Sequence, residues 1–142
     1  MSYEPALYAR YQYGQLYRQE QVACGPSQTC RFGYGRDRLI SIVTEFELEF
    51  GLAKNPNAEN LRQALHKFLA RMQVLPLGSA EARAYGQLRV KQEAAGRPLE
   101  SMDMLIAAHS IAAGAILVTG DSVFSYVPDL VGRENWATGL AG

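Results

Sequence analysis

The sequence of 142 residues predicts an α/β fold in which a Rossmann-like parallel sheet is covered by helices on both faces. Strand and helix signals alternate from residue 39 onward, as in chains built from strand–helix–strand units. Two of the strand-like stretches, LISIVT at 39–44 and AILVT at 115–119, are almost wholly apolar. Strands that are apolar on both faces are typical of parallel sheets, because the crossover helices bury each face. The length fits one domain with its own core.

The first elements follow in order from residue 39. The stretch 39–44 is short, apolar and β-branched, so we predict a buried strand. Thr44 is expected to cap the next helix, with Glu47 three residues later and Gly51 near its end. A second helix is predicted over 57–72 from the helical spacing of its apolar residues. These are Leu61, Leu65, Phe68, Leu69 and Met72.

The second half of the chain continues the alternation. VLPL at 74–77 predicts a brief strand, and helices are predicted over 79–96 and 101–114. Each of these helices begins at a serine and ends at a glycine, which are favoured residues at the two helix ends. A last short strand is expected near 130–136, after the strand at 115–119.

Composition and charge exclude several classes of protein. The longest aliphatic run, 112–118, is too short to cross a bilayer, and the N-terminus lacks a signal-peptide pattern. We therefore expect a cytoplasmic protein with no membrane association. The 14 basic residues equal the 14 acidic residues, so no overall field attracts nucleic acid. Basic residues between Arg62 and Arg97 could bind RNA locally, or could simply belong to solvated helix faces.

Three acids are predicted to lie beyond the carboxyl ends of the strands, where ligands bind in such sheets. Glu47 follows the first strand, Asp103 begins the last helix, and Asp121 comes two residues after 115–119. Carboxylates brought together repel one another, so a cation is expected between them. All-oxygen ligands favour Mg²⁺ or Mn²⁺. Such an ion can activate a water molecule and neutralise charge on a phosphodiester.

Each acid also has a simpler interpretation. Glu47 would complete a capping box with Thr44, and Asp103 suits the positive end of a helix dipole. Asp121, in the sequence TGDS, suits a turn. His109 lies on an apolar helix, so we expect a packed histidine rather than a catalytic base.

The order of four phrases resembles the PIN-domain ribonuclease toxins of the VapC type. The phrases are T-x-x-E-L-x-x-G, D-x-L-I-A-A-H, V-T-x-D and V-P-x-L…E-N-W, and they lie between residues 37 and 136. The resemblance implies a PIN-like domain over 37–142, with Glu47, Asp103 and Asp121 as metal-site acids. It also implies cleavage of RNA, often tRNA, with Mg²⁺ or Mn²⁺. The implied partners are a second copy of the chain and a VapB-type antitoxin.

Residues 1–36 depart from the family pattern and form an atypical N-terminal segment of the same domain. The resemblance implies an apolar central strand that ends in a metal-binding aspartate, but this segment contains no aspartate. We predict no aliphatic strand here, and instead an amphipathic helix after Pro5. Three explanations stay open: a shifted reading frame, a degenerate relative, or replacement of the aspartate by Glu4 or Glu20.

The leading hypothesis is a metal-dependent endoribonuclease in which the three acids hold one or two ions. Thr44 and Thr119, at the ends of two predicted strands, are expected to orient water or ligands. The alternative is a catalytically impaired PIN module that binds an antitoxin or RNA. A different α/β enzyme, such as a phosphatase, is less favoured because the sequence has no G-x-S-x-G, Walker loop or G-x-G-x-x-G motif.

Overall fold

The computed structural model describes residues 22–24, 38–70, 72–119 and 121–134. Its strands form one mixed sheet in the order β3-β2-β1-β4-β5. Pairs β2–β3 and β4–β5 are parallel, whereas β1 is antiparallel to both β2 and β4. The strands are β1 (Val22–Cys24), β2 (Arg38–Ser41), β3 (Gln73–Leu75), β4 (Ile116–Val118) and β5 (Arg133–Glu134).

Strand β1 corrects two details of the predicted sheet. We predicted no aliphatic strand within residues 1–36, yet Val22–Cys24 occupies the centre of the sheet, with Val22 opposite both Ile40 and Val118. We also predicted a parallel sheet, and β1 runs against both of its neighbours. A central gap would leave the facing N–H and C=O groups of β2 and β4 without partners, and a strand of either direction can pair with them. The predicted helix after Pro5 lies outside the described residues.

The four predicted helices are present, with ends that differ by a few residues. They are α1 (Ile42–Lys54), α2 (Glu59–Ala70), α3 (Ser79–Ala94) and α4 (Ser101–Ala113), and a short 3₁₀ helix follows at Ser122–Tyr126. Within the described ranges, no helix has the length and apolar character needed to span a membrane.

Helix α1 begins earlier than the sequence predicts. Strand β2 ends at Ser41, whose backbone is extended and whose Oγ accepts the Val43 N–H at 3.2 Å. Ser41 is therefore the N-cap, and Thr44 lies inside the helix rather than at its cap or at a strand end. The predicted capping box of Thr44 and Glu47 is wrong. A short apolar run fits a strand or a helix equally well, and the serine at its centre decided where the change occurs.

Two hydrophobic clusters hold the elements together, and α1 contributes to both. The first joins α1, α2 and β2, and its buried members are Ile40, Leu48, Leu52, Leu61, Leu65 and Phe68. The second joins α1, α3, α4, β4 and the 3₁₀ helix, and its buried members are Val43, Leu88, Met104, Ile106, Ala107, Ala108, Leu117, Phe124 and Val127. The predicted apolar face of α2 is confirmed for Leu61, Leu65 and Phe68, whereas Met72 lies beyond the end of the helix. Helix α1 is therefore held by packing on two sides.

Helix α4 ends at Gly114, which adopts a left-handed conformation with φ of 62°. We expect Gly114→Ala to lower the free energy of unfolding by about 1 kcal/mol, because a Cβ strains this conformation. No heavy atom lies within 4 Å of the added Cβ, so strain is the only cost. Urea unfolding measures it.

Gly86 provides the matched control, because it lies exposed in α3 and an added Cβ would also meet nothing within 4 Å. Gly86→Ala is expected to stabilise the protein by about 0.5–1 kcal/mol. A Gly114→Ala variant that gains stability in the same way would contradict the left-handed end of α4.

Candidate functional site

The three predicted acids lie on three different elements around β2 and β4. Glu47 is half-buried on the second turn of α1, and Asp103 is 7% exposed in the first turn of α4. Asp121 follows β4 and caps the 3₁₀ helix, because its Oδ1 accepts the Val123 N–H at 3.0 Å. Glu47 and Asp121 therefore lie shortly after strands β2 and β4, and Asp103 lies at the start of α4.

The charges of these acids act on one another. Burial, followed by the charges of Asp103 and Glu100, raises the pKa of Glu47 to about 7 from an ordinary 4.5. Burial also raises the pKa of Asp103, and the charges of Asp121 and Glu100 raise it further. Asp103 is thus the central member, with an electrostatic interaction toward each of the other two predicted acids.

Glu100 is a fourth member that the sequence analysis missed. It is the exposed N-cap residue of α4, and it raises the pKa of both Glu47 and Asp103. The signal was present in the sequence, since Glu100 lies three residues before Asp103 at the start of the same helix. We call Glu47, Glu100, Asp103 and Asp121 the acidic group.

The chemistry of the acidic group fits a hard divalent cation, since its donors are all carboxylate oxygens and its charges disfavour one another. The positions of the side chains fit less closely. Within residues 38–70, 72–119 and 121–134, no three acidic, histidine or cysteine side chains lie close enough to hold one ion. Binding a cation between them would require these carboxylates to turn toward a common point.

The two predicted threonines differ in what they contact. Thr119 is buried, and its Oγ1 accepts the Asp121 N–H at 3.1 Å, so it orients the loop that carries Asp121. Thr44 is 1% exposed, and within the described part of the chain its Oγ1 has no hydrogen-bond partner. A buried hydroxyl without a partner is uncommon. It lies one turn before Glu47 on α1, where a water molecule or ligand could satisfy it.

The short 3₁₀ helix that Asp121 caps is anchored in two further places. Phe124, in its middle, is 1% exposed within the second cluster. At its end, the buried Gln92 side chain on α3 donates to the backbone oxygen of Tyr126 at 2.9 Å and to that of Arg97 at 3.2 Å. These contacts fix the segment after Asp121. Gln92 was not among the residues that the sequence analysis identified.

His109 is 3% exposed and packed inside the protein, as the sequence predicts. Its Nδ1 lies 2.7 Å from Ser41 Oγ. Burial lowers the pKa of His109, although Glu81 opposes this effect. A buried, neutral imidazole is poorly placed to exchange protons with a substrate, so it is not a general base here. The sequence analysis did not identify Ser41 as its partner.

Three of the basic residues between Arg62 and Arg97 form ion pairs with nearby acids on exposed surfaces. Ion pairs join Arg62 to Glu59 at 3.8 Å, Arg89 to Glu93 at 2.8 Å, and Lys91 to Asp129 at 3.0 Å. These pairs favour the solvated-face interpretation for the residues involved. Arg97 differs, since its guanidinium lies 5.9 Å from the centre of the Tyr126 ring at the end of the 3₁₀ helix.

Glu47 leads to a prediction about pH. Its raised pKa means that the folded protein keeps a proton that the unfolded chain releases between pH 4.5 and about 7. The stability from this proton is complete below pH 4.5 and is lost as pH rises through 7. We therefore expect the free energy of unfolding in EDTA to fall over this range. Urea unfolding at pH 5, 6, 7 and 8 measures the trend.

Glu47→Gln is the control, because it keeps the shape of the side chain and removes its titration. Other groups also titrate in this range, so the difference between the two curves isolates Glu47. We expect the wild-type curve to fall more steeply than the curve of the variant. Parallel curves would contradict the raised pKa.

Comparisons with known proteins agree with the resemblance seen in the sequence. The family model of the PIN domain matches residues 31–130, which include Glu47, Asp103 and Asp121. "Ribonuclease VapC2" of Rickettsia felis is 35% identical over 98 residues, which cover 68% of this chain and 72% of that protein. The "tRNA(fMet)-specific endonuclease VapC" of Shigella flexneri is 33% identical over 65% of this chain and 70% of its own length.

Solved structures show the same fold. The VapBC2 structure from Rickettsia felis, bound to a DNA fragment from its promoter, has a TM-score of 0.64 and 34% identity, covering 68% of this chain and 73% of that chain. The VapBC-1 structure from nontypeable Haemophilus influenzae has a TM-score of 0.67 and 28% identity, covering 75% of this chain and 80% of that chain. The predicted α/β class, with helices packed around a sheet, is confirmed.

Proposed function

Because this chain belongs to the PIN-domain family of VapC-type toxins, we propose that it is a metal-dependent endoribonuclease and the toxin of a toxin–antitoxin pair. The observation that carries the proposal is the environment of Asp103. This carboxyl is 7% exposed, and its pKa is raised by burial and then by the charges of Asp121 and Glu100, both acidic. A buried carboxyl near other acids destabilises the folded state, and such groups cluster at functional sites.

The acidic group would hold Mg²⁺ or Mn²⁺ through Glu47, Asp103 and Asp121. When bound, the ion would supply an activated water molecule and neutralise charge on the phosphodiester. Thr119 holds Asp121 through the Asp121 N–H, and the 3₁₀ helix holds it through the Val123 N–H. Thr44 offers a buried hydroxyl, without a partner among the described residues, to a water molecule beside Glu47.

The proposed substrate is RNA, with tRNA as the first class to test, because the relatives are called a ribonuclease and a tRNA-specific endonuclease. The chain has no net charge, so phosphate binding must come from local side chains. Arg97 and the exposed Tyr126 are candidates, because they lie at the end of the 3₁₀ helix that Asp121 caps. RNA cleavage would take place in the cytoplasm.

The proposed protein partner is a VapB-type antitoxin, because the similar solved structures are VapBC complexes. A second copy of the chain is the other proposed partner. Phe46 and Phe50 on α1 are 57% and 61% exposed, on the helix that carries Glu47. Exposed aromatic side chains beside a functional group are typical of an interaction surface.

RNA cleavage that depends on added cation tests the proposal. Purified protein is incubated with tRNA in Mg²⁺, in EDTA, and in EDTA followed by excess Mg²⁺. We expect cleavage, loss of cleavage, and recovery, respectively. Glu49→Gln is a control variant, because Glu49 is exposed on α1 outside the acidic group, and it should retain activity. Cleavage that persists in EDTA would contradict the metal requirement.

A catalytically impaired binding module is the second candidate function. It is favoured by the absence of three converging ligands among the described residues and of an aspartate in residues 1–36. Calorimetry separates the two functions. No Mg²⁺ or Mn²⁺ uptake, no RNA cleavage and retained binding of a VapB-like peptide would together support the binding module.

A further inference from the structure

A buried hydrogen bond joins the two helices that carry Glu47 and Asp103. Ser41 Oγ, at the start of α1, lies 2.7 Å from Nδ1 of His109 on α4. Both side chains are enclosed, with 9% exposure for Ser41 and 3% for His109. They line a small pocket of about 20 Å³ whose other walls are largely apolar. A polar contact in such surroundings is strong, and losing one partner leaves the other unsatisfied.

Ser41 Oγ makes two hydrogen bonds. It accepts the Val43 N–H at 3.2 Å, and it pairs with Nδ1 of His109. The hydroxyl donates to Nδ1 when the ring hydrogen is on Nε2 and accepts from Nδ1–H in the other tautomer, so the contact holds in either form of the neutral ring. One hydroxyl therefore caps α1 and also ties it to α4.

Helices α1 and α4 pack against each other at this hydrogen bond and in the second hydrophobic cluster, to which Val43 of α1 and Met104 of α4 both contribute. Glu47 lies six residues after Ser41 in the sequence, and Asp103 lies six residues before His109. Six residues correspond to about 9 Å of helix. The two acids therefore lie about equally far along their helices from the hydrogen bond.

We propose that Ser41 and His109 are positioning residues that set the register of α1 against α4 and so place Glu47 opposite Asp103 for cation binding. This inference rests on the proposed function, because it assigns the two residues a part in building that site. Neither residue contacts the substrate or the ion. Their effect passes through the backbone of α1, which Ser41 caps, and through α4, which carries both His109 and Asp103.

A purely structural role is the competing explanation, and Ser110 is the matched control for it. Ser110 is 4% exposed on α4, next to His109 in sequence, and its Oγ donates to the Ala115 backbone oxygen at 2.7 Å. That hydrogen bond connects α4 to the start of β4 and leaves α1 untouched. Ser110→Ala also removes a buried hydrogen bond, so it should lower the free energy of unfolding. It should do so without moving Glu47 relative to Asp103.

The experiment titrates Mn²⁺ into each full-length variant by calorimetry, at a temperature where circular dichroism shows it folded. We expect His109→Phe to bind Mn²⁺ about tenfold or more weakly, the size of effect typical of residues that orient metal ligands. On RNA, kcat should fall while KM changes little. His109→Asn, which offers an amide oxygen near the position of Nδ1, should recover part of the affinity. Ser110→Ala should bind Mn²⁺ like the wild type.

A folded His109→Phe variant with wild-type Mn²⁺ affinity and kcat would overturn the inference and leave the proposed function intact. Equal weakening in Ser110→Ala and His109→Phe would also overturn it, because the effect would then follow stability alone. If His109→Phe does not fold, Ser41→Ala takes its place with the same expectation. A wild-type chain that takes up no Mn²⁺ and leaves RNA intact would refute the proposed function, and the inference with it.

Discussion

Asp103→Asn is expected to abolish RNA cleavage while leaving the protein folded. The two side chains have nearly the same shape, but the amide lacks the negative charge that a cation would bind. A bound metal ion contributes several kcal/mol to catalysis, so the loss should reach about 10³-fold. Initial rates of tRNA cleavage in saturating Mg²⁺ measure the effect.

The same substitution is expected to leave stability unchanged or raise it at neutral pH in EDTA. Asp103 is buried, and its pKa is raised by burial and by Asp121 and Glu100, so its ionised form weakens the folded state. Removing that charge also removes a cause of the raised pKa of Glu47. An inactive variant that is as stable as the wild type points to a functional role. If Asp103 had only a structural role, the variant would lose stability and keep its activity.

Asp129→Asn is the control for this prediction. Asp129 is not a member of the acidic group, and it pairs with Lys91 at 3.0 Å on the surface. An exposed pair of this kind contributes about 0–1 kcal/mol to stability, and cleavage should not change. Wild-type cleavage by Asp103→Asn would refute the assignment of the acidic group as the site.

Phe124→Ala is expected to have the largest effect on stability. The ring is 1% exposed in the second hydrophobic cluster, which also contains residues of α4 and β4. Truncating a buried phenylalanine costs about 3–5 kcal/mol, a large part of the roughly 5–15 kcal/mol that stabilises a typical domain. Chemical unfolding in EDTA measures the loss. EDTA removes any bound cation, which would otherwise add to the stability of the folded protein.

Tyr126→Ala is the matched control, because it removes an aromatic ring from the same 3₁₀ helix. Tyr126 is 53% exposed, and its ring contact with Arg97 is a surface interaction worth about 0.5–1 kcal/mol. Phe124→Leu should lie between the two variants, since it keeps most of the buried volume. Equal losses for Phe124→Ala and Tyr126→Ala would show that Phe124 does not anchor the segment after Asp121.

Much of the fold could be predicted because its signals are local. The apolar face of α2 repeats at helical spacing, and residues 61, 65 and 68 are buried as that spacing requires. Glycine at 114 ends α4 in the left-handed conformation that glycine adopts most easily. Asp103 and Asp121 could be proposed as site residues because each lies beside a strand or helix boundary that short stretches of sequence define.

The boundary between β2 and α1 was predicted less well. The run from 39 to 44 is apolar throughout, and local preference does not decide where a strand gives way to a helix. Pairing of β2 with β3 ends at Ser41, whose side chain is held by its contact with the distant His109. Strand β1 was missed for a similar reason. A stretch of three residues carries little sequence signal for a strand, and β1 forms because it pairs with β2 and β4.

The amino-acid sequence by itself determined the four helices and the family to which the chain belongs, and it predicted the three acids of the proposed site. Tertiary structure alone decided that Glu100 joins them, that burial and neighbouring charges raise the pKa of Glu47 to about 7, and that Ser41 bonds to His109. Electrostatic and hydrogen-bond energies depend on the distance between atoms in space. Residues separated by 50 or more positions acquire such distances only when the helices and strands pack.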